Sequence, residues 1–174
     1  MEGFSRPAGF WIRAGAYIID FVVFIPIAIL NFWNIYSLKS MTVLVLISLP
    51  GLMYKPLMES FFGATLGKMS CKIKVIDNRG NKLSLFSAYV RFFPFLLPAG
   101  VGLAGQLILF SSSQFQSAET FKEVAEAQQG NYLAPIGTIL GVLLIIECVF
   151  AAFTNRKRAL HDMLAESYCV HREP

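Results

Sequence analysis

Charged side chains inside long apolar runs are the residues of this chain best suited to chemistry. Arg13 and Asp20 lie seven residues apart in one such run, and Asn31 follows eleven further on. At 100° per residue all three fall within about 20° of one another on a helix. One polar stripe then runs along an otherwise apolar rod and should face the interior of a bundle. A charge at the centre of a membrane helix costs roughly 2.5–3.5 kcal/mol on insertion scales, so it needs a partner, water or a task. Asp20 stands ~15 Å along its helix, deep enough for its carboxylate to bind a proton or a cation. Glu59 and Glu147, in later apolar runs, are the other ion- or proton-binding candidates. Helical side chains lean toward their own N-terminus. This turns Arg13 and Arg91 toward one end of the bundle, where they would snorkel, and turns Lys55 toward its middle. Lys55 is therefore the expected partner of Asp20. Pro26, Pro50, Pro94 and Pro98 also sit within the runs. Pro26 would free the carbonyl of Val22, within a turn of Asp20. Broken helices with free carbonyls coordinate ions in transporters, and a packing kink is the plainer alternative.

The elements that must position these groups are four runs, at about 11–33, 41–62, 86–110 and 132–153. Each approaches or exceeds the roughly 20 apolar residues that cross a bilayer. Of the 174 residues, 55% are hydrophobic and 15% charged, and sixteen are Phe. A soluble domain carries about 25% charged residues. Disorder, a nucleic-acid module and most soluble enzymes are excluded by this balance. The reading is an all-α integral membrane protein with four transmembrane helices, forming one domain over 1–174.

Charge sets the expected orientation. Arg6 and Arg13, seven Lys/Arg between 55 and 91, and four more from Arg156 onward make 13 of the 15 basic residues. Four crossings put these segments on one side, which the positive-inside rule makes cytosolic. Both termini are then inside. The N-terminus does not read as a cleavable signal. Arg156, Lys157 and Arg158, just past the fourth run, suit anionic lipid headgroups at about 1 kcal/mol per residue. The net charge of +4 therefore speaks for a bilayer surface and not for nucleic acid.

The connections carry their own patterns. Ile73 and Val75 alternate with Lys72 and Lys74, a period-two strand signal, and Asp77–Gly80 suits a type I turn. Tyr168 and Val170 alternate within Ser167–His171, so a small cytosolic strand pair is expected. A helix is expected over Arg156–Ala165 along the inner interface, and a short outer one around Ala118–Gln128. GVGLAG at 100–105 lacks the strand–turn–helix setting of a dinucleotide site. GATLGK at 63–68 is one residue short of a phosphate loop, with Met69 where Ser or Thr would hold magnesium. Gly137 and Gly141 form a GxxxG pair suited to close helix packing or dimerisation. Cys71, Cys148, Cys169, His161 and His171 fit no metal spacing. No metal, cofactor or enzymatic centre is expected.

Three stretches carry a family likeness: FWIRAGAYIIDFVV at 10–23, GATLGKMSCKIKVIDNRGNKLS at 63–84 and RKRALHDMLAESYCV at 156–170. Together they resemble the RDD family of small bacterial membrane proteins, named for one arginine and two aspartates. By position these are Arg13, Asp20 and Asp162. Glu166-Ser167 departs from the Gly-Thr more frequent in the family. The resemblance implies a multi-pass protein of the bacterial plasma (inner) membrane. Transport has been proposed for the family and sodium–proton exchange for some members, so Na+ and H+ are the ions expected. Asp162 would lie on the side to which Arg13 points. A charge-assisted pair between them would tie the tail to the first helix. The local alternative is Arg158, four residues earlier on the same helix face. The long-range pair is preferred because Arg13 otherwise lacks a partner.

Two functions follow. One is a small cation–proton antiporter or related transporter, in which Asp20 exchanges a proton for a cation, supported by Glu147 and Glu59. Four helices make a thin wall, so a homo-oligomer is expected. The other is a non-transporting membrane scaffold or assembly factor whose basic inner face binds a partner protein or anionic lipid.

Overall fold

The computed structural model describes residues 6–154 and 157–172. Four helices are long and apolar enough to cross a membrane: α1 (Phe10–Trp33), α2 (Met41–Phe62), α4 (Leu85–Ser111) and α7 (Leu133–Phe150). Their bounds lie within about three residues of the four apolar runs. Helices α1, α2 and α4 continue unbroken through Pro26, Pro50, Pro94 and Pro98. The expected discontinuity near Asp20 is therefore absent from α1. Large apolar side chains stay exposed along all four, and α7 buries none of its residues.

The chain forms two compact units. The first joins 1–24, 53–94 and 143–174. After α2, Gly63 takes a left-handed turn at φ +74°, which glycine adopts without steric cost. A short α3 (Leu66–Ser70) follows, capped by Thr65, whose hydroxyl accepts from the Lys68 N–H. Strand β1 (Ile73–Asp77) pairs antiparallel with β2 (Ser167–His171), placing Val75 opposite Cys169. The expected alternation is what buries Ile73 and Val75. The Asp77 carboxylate accepts from the N–H groups of Arg79 and Asn81, both at 2.8 Å, and closes the following turn. Residues before α1 join the strand pair through Ala8 N–H to Cys169 O (2.8 Å) and His171 N–H to Arg6 O (2.9 Å). Ala8, Ala16, Ile73 and Cys169 share one apolar core, and Val75, Leu83 and Ala88 another.

The tail helix differs from expectation. Helix α8 covers only Leu160–Leu164. Lys157 is left-handed, at φ 50°, and the Asp162 carboxylate accepts from the Ala159 N–H at 3.2 Å. A carboxylate occupied by the first free N–H fixes the start of the helix there, so 157–159 cannot belong to it. Arg156 lies outside the described residues.

The second unit holds 25–52 and 95–142. Between α1 and α2, a π-turn over Asn34–Leu38 closes on Lys39, and the Asn34 amide exchanges two 3.0 Å bonds with the Ser40 backbone. The 111–131 connection folds into α5 (Ser113–Ser117) and α6 (Phe121–Gln129). Helix α6 starts with a capping box, in which Thr120 and Glu123 each bond the other's backbone N–H. Leu44, Leu109, Phe110, Phe115, Val124 and Ala127 form the core of this unit.

Candidate functional site: a buried ion-pair network

Five charged side chains from five elements of the first unit form a chain of alternating sign. Arg13 of α1 pairs with Asp162 of α8. Arg91 of α4 bonds Asp162 through Nε at 3.0 Å and Glu59 of α2 through Nη1 at 3.0 Å. Lys68 of α3 closes the chain on Glu59. All five are buried, with Asp162 at 0% and Glu59 and Arg91 at 1% relative exposure. Burial at that level makes isolated charges untenable, so each must carry opposite charges. Arg13 also donates to the carbonyls of Ala8 (3.1 Å) and Lys157 (2.8 Å). Its guanidinium thus pins the entry to α1 against the segment before α8. Burial alone would raise the Asp162 pKa, but Arg91, His161 and Arg13 outweigh it and hold the carboxyl well below its ordinary value.

A branch leaves the chain at His161. Its Nδ1 lies 2.9 Å from both oxygens of Glu147 in α7, and its Nε2 lies 3.2 Å from Asp162 Oδ1. The His161 N–H donates to Glu147 Oε1 at 2.7 Å, and Cys148 Sγ lies 3.5 Å from Glu147 Oε2.

Asp20 belongs to a separate cluster. Its carboxylate accepts from the Tyr54 hydroxyl (2.8 Å), the Thr65 hydroxyl (2.6 Å) and the Gly67 N–H (2.8 Å). Three donors, two of them at the start of α3, make Asp20 a half-buried clasp for that helix. The expected pair with Lys55 does not form, and these three donors hold the carboxylate instead. Lys55 instead donates to the Tyr17 hydroxyl at 3.0 Å, with its ammonium 5.0 Å from that ring centroid. Gly67 is what lets α3 come so close. A Cβ there would meet the Ala16 carbonyl carbon and Asp20 Cγ, each at 2.9 Å.

Several expectations change at this site. Arg91 does not snorkel, since it is enclosed by Glu59 and Asp162. Glu59 is sealed between two cations. Arg158 meets the Asp162 carbonyl (3.1 Å) instead of its carboxylate, and its guanidinium lies 4.4 Å from the Tyr168 ring centroid. That contact holds a half-buried Arg158 against the tail, whereas Lys157 is exposed. Lys68 and His161 were missed. Lys68 had only the rejected phosphate-loop pattern around it, and His161 only a lone position in a tail.

The chain is 32% identical over 170 residues to the uncharacterized protein YckC of Bacillus subtilis (strain 168), covering 97% of this chain and 87% of that one. It is 28% identical over 130 residues to the uncharacterized protein YxaI of the same organism, covering 60% of this chain and 86% of the other. No solved structure matches it significantly. The RDD family profile matches residues 7–166, a span that takes in Arg13, Asp20, Glu59, Lys68, Arg91, Glu147, His161 and Asp162. With four apolar helices and that profile over nearly its whole length, the chain belongs to the RDD family.

Proposed function

We propose that this protein is a scaffold of the bacterial plasma membrane, with both termini in the cytosol, and not an ion carrier built on Asp20. One observation carries the reading. Arg13, Asp20, Glu59 and Asp162 are each engaged by donors or acceptors of the segments that flank the strand pair. They fasten that element to the helices, and three donors already take up most of the roughly four acceptor positions of the Asp20 carboxylate. The element is basic on its outer side. A cleft of about 220 Å³ is lined by Phe62, Gly63, Lys74, Lys82 and Arg172, and no carboxylate is among its lining residues. Phe61 and Phe62 stand more than half exposed beside it. Basic groups next to exposed aromatic rings suit the headgroup level of an anionic bilayer. Helix α7 buries no residue of its own, and a Cβ at Gly141 would meet nothing within 4 Å, which leaves that position open to a second copy.

Proton-coupled cation transport is the second reading, and the Glu147–His161 pair favours it as a half-buried carboxylate joined to a protonatable ring. One experiment separates the two. Protein reconstituted into proteoliposomes is assayed for Na+- or K+-driven proton flux, beside thermal unfolding of Asp20→Asn in detergent. A scaffold gives no flux above empty vesicles and a lowered Tm in the variant. Cation-driven flux that Asp20→Asn abolishes would overturn the proposal.

A further inference from the structure

We propose that Glu147, Cys148 and His161 bind a divalent transition-metal ion of the zinc type. Glu147 and Cys148 lie in the last turn of α7, and His161 of α8 lies against them. One ligand atom from each residue lies within 4.8 Å of the other two. His161 Nδ1 is 2.9 Å from Glu147 Oε1, and Cys148 Sγ is 3.5 Å from Glu147 Oε2. A tetrahedral ion with bonds of about 2.0–2.3 Å needs ligand atoms roughly 3.3–3.8 Å apart. Small side-chain rotations reach that spacing without moving the helices.

A second observation points the same way. The ring nitrogen facing away from the cluster, Nε2, lies 3.2 Å from Asp162 Oδ1. A carboxylate behind a ligating imidazole is the arrangement that fixes its tautomer and raises its basicity at metal sites. Asp162 is itself immobilised by Arg13 and Arg91. The His161 N–H, 2.7 Å from Glu147 Oε1, orients the carboxylate as well. Thiolate, imidazole and carboxylate together select zinc or cobalt over magnesium or calcium, which take oxygen ligands. Three protein ligands leave a fourth position for water. Glu147 and Cys148 stand in the last turn of α7 and are half-buried, so the protein does not seal the site.

The protons balance. A ligating imidazole offers a lone pair and a ligating thiol is deprotonated, so entry of the ion releases the Cys148 thiol proton, and any proton carried on His161 Nδ1, to solvent.

The test uses the full-length protein in detergent, stripped of metal and titrated with Co2+. One equivalent should produce a near-ultraviolet thiolate-to-cobalt band together with tetrahedral visible bands, and Zn2+ should remove both. Cys148→Ser should abolish the thiolate band and weaken Zn2+ at least tenfold against a chromophoric chelator. Cys71→Ser and Cys169→Ser should change neither. On the unaltered protein, Zn2+ but not Mg2+ should slow alkylation of Cys148 at least tenfold, as mapped by mass spectrometry, and this arm decides if the serine variant fails to fold. Absence of the thiolate band, its survival in Cys148→Ser, or unprotected Cys148 would each overturn the site. None of these readouts depends on whether the protein moves ions.

Discussion

Gly67→Ala sets two effects of opposite sign against each other. Gly67 is the second residue of α3, and alanine is the better helix former by about 1 kcal/mol. Propensity alone therefore predicts a more stable protein. The structure predicts the reverse. The new Cβ would lie 2.9 Å from both the Ala16 carbonyl carbon and Asp20 Cγ, and nearer still to the Ala16 carbonyl oxygen, where ordinary contact begins at 3.4 Å. Backbone of α1 cannot yield as a side-chain tip can, so α3 must retreat by at least ~0.5 Å, which overpacking costs put at about 1–3 kcal/mol. The same retreat stretches the 2.8 Å bond from Gly67 N–H to Asp20 beyond good geometry. A hydrogen bond to a charged group contributes ~1.5–3 kcal/mol. Set against the gain in propensity, the net loss is about 2–5 kcal/mol. At roughly 2–4 °C per kcal/mol for a chain of this size, thermal unfolding in detergent should fall by about 4–20 °C. Gly51→Ala and Gly102→Ala are the controls, because a Cβ at either meets nothing within 4 Å. Both should be neutral or slightly stabilising. A Gly67→Ala protein as stable as its parent would refute the claim that α3 is held against α1 at Asp20.

The network and the outer helix yield two further outcomes. Asp162→Asn leaves Arg13 and Arg91 without their shared anion in a buried site and should cost about 3–5 kcal/mol; Lys122→Ala, which removes an exposed 3.9 Å pair with Glu126, should leave the melting temperature in detergent unchanged. Glu123 accepts from the N–H groups of Glu119 and Thr120, and these bonds hold its carboxyl below the ordinary value. Its support of the α6 start is then full above about pH 4.3 and is lost as pH falls through the lower folded-state pKa. Amide exchange at Val124 should quicken across that acid window, and Glu123→Gln should remove the pH dependence.

Apolar run length was enough to read four helices, because a bilayer-length stretch of Leu, Ile, Val and Phe has few other outcomes. Alternation was enough for the strands, since Ile73, Val75 and Val170 repeat every second residue. The polar partners were harder. Leaning toward the N-terminus correctly sends Arg13 back to the Ala8 carbonyl and brings Lys55 to α1. It cannot say that Tyr17 would meet Lys55 three residues short of Asp20. That outcome depends on α3 folding back on α1, and only the missing side chain of Gly67 permits it. No periodicity encodes such an approach. Glu147 and His161 were likewise fourteen residues apart in a stretch read partly as helix. The left-handed Lys157 and the Ala159–Asp162 bond reverse the chain there and bring them together.

The location of the charges explains why a costly network is kept. Apolar packing between helices specifies little where lipid tails compete equally for the same surfaces, and α7 buries none of its residues. Replacing buried ion pairs with apolar side chains would often be neutral or stabilising, so stability alone does not account for four of them. Their alternating order is more restrictive. Arg91 is satisfied only when α2 presents Glu59 and α8 presents Asp162, and Asp162 is satisfied only when Arg13 of α1 is also in place. Any displaced helix leaves a buried charge unpaired, which no lipid can repair. The network therefore selects one arrangement of α1, α2, α4 and α8 around the strand pair. Arg13 and Asp162 act in that selection as a bridge between the entry to α1 and α8, while Asp20 separately clasps α3 to α1.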